Sequence, residues 1–203
     1  MIGAVVFDIG KVLLDFDYLV LTRKMAPQTQ WSEAKLNDYL NQSPLLARYE
    51  SGELSSSEFF ELIQREAGFT GSETEFVALF EDIFTPISGM IDIHRQIAQS
   101  GTPTFTFSNT NEMAVRYISR TYDFWKMFKG HVLSYEVGAL KPEAKIYESL
   151  EQLSDLNGED IIYLDDRSEN CEAGSERGWQ VCCHQDVESS RRFLSSVGDL
   201  SLT

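Results

Sequence analysis

The chain has 203 residues, 42% of them hydrophobic and 12% aromatic, enough for one substantial core plus a modest insertion and too apolar for extensive disorder. Its formal net charge of −15 excludes nucleic acid and anionic membrane surfaces as expected partners, because both require clustered Lys and Arg. The same charge repels anionic small molecules, so a site for one must supply its own cation and buried positive side chains.

Met1 to Phe7 has neither a cationic leader nor a small-residue cleavage site, and its apolar run Ala4 to Phe7 reads as a buried strand. The strand ends in Asp8-Ile9-Gly10. A carboxylate at such an edge can attack phosphorus or hold a metal, or simply end a strand. From Asp17 to about Phe84 the patterns are helical with no convincing strand. Ser55 with Glu58 and Ser72 with Glu75 form expected capping boxes ahead of the stripes Phe59, Leu62, Ile63 and Phe76, Leu79, Phe80, Ile83. This insertion follows the first strand, so it is expected above the carboxyl ends of the strands, where open α/β sheets bind ligands.

Asp92 to Gln99 repeats Ile93, Ile97 and Ala98 at helical spacing, with Gly101 as a stop signal. The second strand, Thr104 to Phe107, runs into Ser108-Asn109-Thr110-Asn111. There a hydroxyl and free backbone N–H groups ahead of a helix can grip phosphate oxygens or serve only as a cap. A third strand is expected over His131 to Tyr135. Lys141 follows, able to reach a phosphate or to extend into solvent, and a helix is expected between Lys141 and Asp155 with Pro142 in its first turn. The fourth strand, Ile161 to Leu164, ends in Asp165-Asp166. Adjacent carboxylates there repel each other unless a cation is near, and a magnesium site is the economical reading.

A fifth strand, Gln180 to Cys183, carries two of the three cysteines, which lack zinc-ligand spacing and fit a reduced, cytoplasmic compartment. No segment approaches the roughly 18 apolar residues of a membrane span. Alternating strands and helices predict an α/β fold, a Rossmann-like three-layer sandwich with a central parallel sheet and a small all-helical cap inserted after the first strand. The expected core is residues 1–16 and 86–203, and the expected cap 17–85.

With Asp8, Ser108, Lys141 and Asp165-Asp166 at successive strand ends, the sequence resembles the haloacid dehalogenase-like hydrolases. Phe7-Asp8-Ile9-Gly10, Ser108-Asn109-Thr110-Asn111, Leu140-Lys141-Pro142-Glu143 and Leu164-Asp165-Asp166 are most similar to the branch containing α-D-glucose-1-phosphate phosphatases. The resemblance implies that Asp8 is a nucleophile forming an aspartyl-phosphate. Ser108 and Lys141 would hold the transferring group, with Asn109 in the substrate-binding loop. It further implies Mg²⁺ on Asp8, the Gly10 carbonyl and Asp166, oriented by Asp165 and Asn170. Tyr18, Tyr49 and Glu50 are candidates on the cap side.

One departure stands out. Most phosphatases of the superfamily carry a second Asp, the general acid and base, where this chain has Gly10, although the glucose-1-phosphatase branch shares the glycine. Neither Asp15 nor Asp17 has a sequence-based claim to the missing role, and Lys11 is expected to extend to solvent. The leading expectation is hydrolysis of a small phosphorylated metabolite, with a sugar phosphate as one candidate. The alternatives are a metal-independent 2-haloacid dehalogenase and a catalytically silent binding or regulatory protein.

Overall fold

A computed structural model describes residues 2–197. Seven strands are formed: β1 Ala4–Phe7, β2 Leu14–Phe16, β3 Phe84–Pro86, β4 Thr104–Ser108, β5 Gly130–Leu133, β6 Ile161–Asp165 and β7 Gln180–Cys183. Five of them make a parallel sheet in the order β5-β4-β1-β6-β7. Every residue of β1, β4 and β6 is buried, as expected of parallel strands covered by helices on both faces.

From β1 the chain reaches β4 and then β5 on one side before crossing to β6 and β7 on the other. This reversal opens a crevice at the carboxyl ends of β1, β4 and β6. Register brings the chemistry there together. Phe7 pairs with Thr106 on one side and Leu164 on the other, and the Asp8 N–H extends the ladder to the Leu164 carbonyl at 2.9 Å.

The segment between β2 and β3 is helical. Its two longest helices, Ser56–Ala67 and Glu73–Glu81, start with the expected reciprocal capping boxes at Ser55/Glu58 and Ser72/Glu75. Their apolar faces bury Phe59, Phe60, Phe76 and Phe80 in an aromatic cluster that also takes Phe69. The flanking strands β2 and β3, at the boundary between the expected core and cap, are elements not expected from the sequence. They pair antiparallel as a three-residue ribbon at the root of the insertion, Phe16 opposite Phe84.

Three other boundaries differ from expectation. Strand β5 stops at Leu133, because Ser134–Val137 turns into a short helix closed by Gly138 in the left-handed region. Pro142 lies in the turn before the helix, which begins at Ala144. The helix expected from Asp92 begins earlier, at Ser88.

Candidate active site

Asp8 sits one residue beyond β1, almost wholly buried. Its Oδ1 lies 3.1 Å from the Lys141 ammonium. That ammonium directs its hydrogen bonds to the Phe107 carbonyl at 2.8 Å and Asp165 Oδ2 at 2.5 Å, so Asp8 Oδ1 has no hydrogen-bond partner among the described residues. Burial pushes the Asp8 carboxyl up, Lys141 opposes it, and the charges of Asp165 and Asp166 push it further up. A buried, under-satisfied carboxylate beside two others is a site short of positive charge.

Lys141 is 5% exposed and lies over the rings of Phe107 and Tyr163. Burial opposes its charge, but Asp8 and Asp165 outweigh that and hold its proton more tightly than usual. Its backbone is fixed by Asn109, whose side chain accepts from the Lys141 N–H at 2.7 Å and donates to the Lys141 carbonyl at 3.1 Å. The Asn109 amide is therefore occupied by Lys141. Ser108, at the end of β4, is buried close enough to Asp8 to stabilise its charged form. Asn111 caps the Glu112–Thr121 helix by accepting from the Ala114 N–H at 3.0 Å.

The two acids after β6 have different environments. Asp165 is wholly buried and accepts from Lys141, the Tyr163 hydroxyl, the Arg167 N–H at 2.9 Å and Asn170 Nδ2 at 2.9 Å. Burial alone would raise its pKa, but Lys141 and the other donors hold it below the ordinary value. Asp166 has no such set of donors, and burial followed by the Asp165 charge raises it. One oxygen from each of Asp8, Asp165 and Asp166 can lie within 4.8 Å of the others, a donor set of hard oxygens suited to a divalent cation. Tyr163 was missed by sequence reasoning, although its place two residues before Asp165 on one strand put both on the same face.

Above this floor lies a small pocket between sheet and insertion. Gly10, Ser108 and Asn109 line its core side, and Phe16, Tyr18, Glu50 and Phe84 reach it from the insertion and ribbon. Ile9, Ala114 and Ile118 make much of the remaining wall apolar. A Cβ on Gly10 would come within 2.8 Å of the Phe16 ring, so that ring fills the space a larger residue would need. Lys11 is not among the residues lining this pocket. It pairs with Asp15, donates to the Phe16 carbonyl at 2.9 Å and rests over the Phe16 ring.

Glu50 ends the Pro44–Glu50 helix, and burial beside Asp8 raises its pKa to about 7. Its backbone is tied to the core because Ser134 Oγ donates to the Glu50 carbonyl at 2.6 Å and accepts from the Thr110 N–H at 2.9 Å. Tyr49 has a structural setting, its hydroxyl bonded to Ser56 at 2.8 Å and the Met113 N–H at 3.1 Å.

A crevice at a sheet reversal, with acids at the ends of β1 and β6 and a serine at the end of β4, defines a class of fold, and known proteins share it. Solved enzymes of the haloacid dehalogenase family share this fold. No family model matches it. A sesquiterpene phosphatase of Aspergillus oryzae is 24% identical over 178 residues, covering 86% of each chain. The D-ribitol-5-phosphate phosphatase of Bacteroides thetaiotaomicron is also 24% identical, over 97% of this chain and 98% of its own. A haloacid dehalogenase family enzyme from the same bacterium, solved with magnesium and inorganic phosphate, superposes with a TM-score of 0.79 at 19% identity, covering 92% of this chain and 96% of that one.

Proposed function

We propose that the protein is a Mg²⁺-dependent phosphatase that hydrolyses a small phosphomonoester through an aspartyl-phosphate on Asp8. The observation that carries this reading is the buried Asp8 Oδ1, which has no hydrogen-bond partner among the described residues and sits beside the Lys141 ammonium and two further carboxylates. Asp8 and Asp166, with the Gly10 carbonyl, would hold the ion. Asp165 and Asn170 orient that shell, since the oxygens of Asp165 are already engaged by protein donors. When bound, the ion supplies charge neutralisation for the transferring phosphoryl group.

Asp8 attacks phosphorus, while Ser108 and Lys141 grip the equatorial oxygens. Asn109 keeps Lys141 in place through its backbone and offers its own N–H to the phosphate. Water then releases phosphate and regenerates Asp8. The helices between Tyr18 and Glu81 act as a cap over the leaving group, residues 17–85 being the cap and the remainder the core. Both curated relatives bear names that describe phosphatases, which supports the reaction class.

The acidic cluster favours phosphoryl transfer over carbon–halogen hydrolysis, which needs no cation to offset three carboxylates. The pocket mixes apolar residues with the polar Glu50, Ser108, Asn109, Thr110 and Asn111, so it suits a leaving group with both an apolar face and hydroxyls, a sugar phosphate among the candidates. Free Cys171, Cys182 and Cys183 fit a cytoplasmic setting, and no helix among the described residues is long and apolar enough to cross a membrane.

The test is phosphate release from a panel of esters with Mg²⁺ and with EDTA. We expect release with Mg²⁺, loss in EDTA, and a fall of at least about 10-fold in Asp166→Asn. Full activity in EDTA would overturn the metal-dependent reading.

A further inference from the structure

Breaking a phosphomonoester of an ordinary alcohol leaves an alkoxide, and the second half-reaction must take a proton from water. Both steps need a group that gives and then takes a proton on the leaving-group side of phosphorus. With Asp166 assigned to the ion, the floor of the site has no such group to spare. Asp8 is the attacking atom's carrier, Asp165 is held by four donors, and Lys141 is locked between two carboxylates.

The histidines lie elsewhere. His94 stacks on Phe128, His131 on Trp125, and His184 bonds to Ser190, and none lines the pocket. Tyr18 does line it, but burial and the neighbouring Glu50 charge push its phenol well above 10, making it a reluctant donor.

Glu50 remains. It lines the same pocket as Ser108 and Gly10, close enough to Asp8 to feel that carboxylate's charge. No hydrogen bond or ion pair to its carboxyl is formed among the described residues, while its main chain is fixed by Ser134. The charged groups around it are Asp8, Arg167 and Lys141, and Tyr18 faces it from the first helix of the insertion. The backbone just beyond it is pressed on the core. Gly52 adopts φ +77°, and a Cβ there would lie 2.3 Å from the Tyr135 carbonyl oxygen. A carboxyl with a fixed main chain and no hydrogen-bond partner among the described residues, lining the pocket beside Asp8, is suited to proton transfer.

We propose that Glu50, contributed by the insertion, is the general acid and base of this site. The assignment rests on the phosphatase reading. As Asp8 attacks, the bond between phosphorus and the leaving oxygen breaks. Its electron pair goes to that oxygen, which takes the Glu50 proton and departs as an alcohol. The Glu50 carboxylate then takes a proton from water as the water oxygen attacks phosphorus. The bond between phosphorus and Asp8 breaks, its electron pair returns to the Asp8 carboxylate, and Glu50 is again protonated.

The experiment compares wild type, Glu50→Gln and Glu50→Asp on esters differing only in leaving-group basicity, from simple alkyl phosphates to p-nitrophenyl phosphate, with Mg²⁺ saturating. A good leaving group departs without a proton. In Glu50→Gln, initial phosphate release from alkyl esters is expected to fall by at least about 10²-fold. The first-turnover burst of nitrophenol is retained within about fivefold, and its steady state falls because water attack is now slow. Glu50→Asp recovers part of the alkyl activity.

Equal loss of the nitrophenol burst and of alkyl release, or no loss of either, would overturn the assignment. The wild-type enzyme tests it without a variant, since its rate is expected to depend only shallowly on leaving-group basicity; a steep dependence overturns the assignment. Failure of wild type to release phosphate from any ester would instead overturn the phosphatase reading itself.

Discussion

At the scale of single residues, the division of labour between adjacent acids is set by which oxygens already accept hydrogen bonds. Asp165 has its acceptor capacity filled by four donors, one of them the Tyr163 hydroxyl. Tyr163→Phe removes one donor and leaves the shape intact. We expect a loss of about 1 kcal/mol in unfolding free energy and a modest fall in kcat, read by urea titration and phosphate release. Gly10 is legible in the sequence as a missing acid, but what fills its place is not. The Phe16 ring lies 2.8 Å from where a Cβ would stand, so Gly10→Asp is expected to lose about 1–3 kcal/mol of stability by overpacking. Lys11, itself left-handed at φ +58°, is paired with Asp15, a pairing that no motif announces.

His94 carries a different residue-scale consequence. Buried against Phe128 and bonded through Nε2 to Thr104, it has its pKa lowered to about 4 by burial, aided by the Arg95 charge. The unfolded chain therefore binds a proton near pH 6.5 that the folded chain refuses until about pH 4. Stability is lost as pH falls through that window, by up to about 3 kcal/mol. His94→Phe should flatten the slope of unfolding free energy between pH 6.5 and 4, as followed by chemical denaturation across pH. An unchanged slope would show that other groups govern acid sensitivity.

At the scale of elements, strong local signals carry through to the fold and weak ones do not. Both capping boxes form as expected, because each needs only residues three apart. Strand β5 ends two residues short of its expected end, since β-branched and aromatic content does not reveal that Ser134 must turn to bridge Thr110 and Glu50. The β2/β3 ribbon is invisible in the sequence because three-residue strands have too few alternating positions to show a period, and its partners are far apart along the chain. The junction at Gly52 is the element-scale test. Gly52→Ala meets both a left-handed backbone and the Tyr135 carbonyl. We expect about 2 kcal/mol of destabilisation and at least about a tenfold fall in kcat/KM, as the end of the Pro44–Glu50 helix is pushed off the core.

At the scale of the whole molecule, alternation of strands and helices is enough for a parallel α/β sheet, while the strand order is not readable from it. The four strand-end motifs supply what alternation cannot, since residues that must meet at one site constrain which strands lie side by side. The role of Asn109 escapes that logic, because clamping Lys141 depends on two loops 32 residues apart meeting edge to edge. Net charge acts at this scale too. A chain at −15 repels a phosphate dianion over the length at which salt screens charges, so kcat/KM at saturating Mg²⁺ should rise severalfold, to the order of magnitude expected for steering, as NaCl increases from low to physiological strength. A fall over that range would mean that local positive charge, not the overall field, governs encounter.

Whether Asp8 carries the phosphoryl group during turnover decides the mechanism as a whole. Rapid acid quenching within the first turnover with Mg²⁺ and p-nitrophenyl phosphate, followed by mass spectrometry of the peptide containing Asp8, addresses it directly. We predict one phosphoryl group on Asp8 that decays as phosphate appears, and none in Asp8→Asn, which releases no phosphate. Phosphate release with Asp8 unmodified throughout the first turnover, and undiminished in Asp8→Asn, would contradict the mechanism.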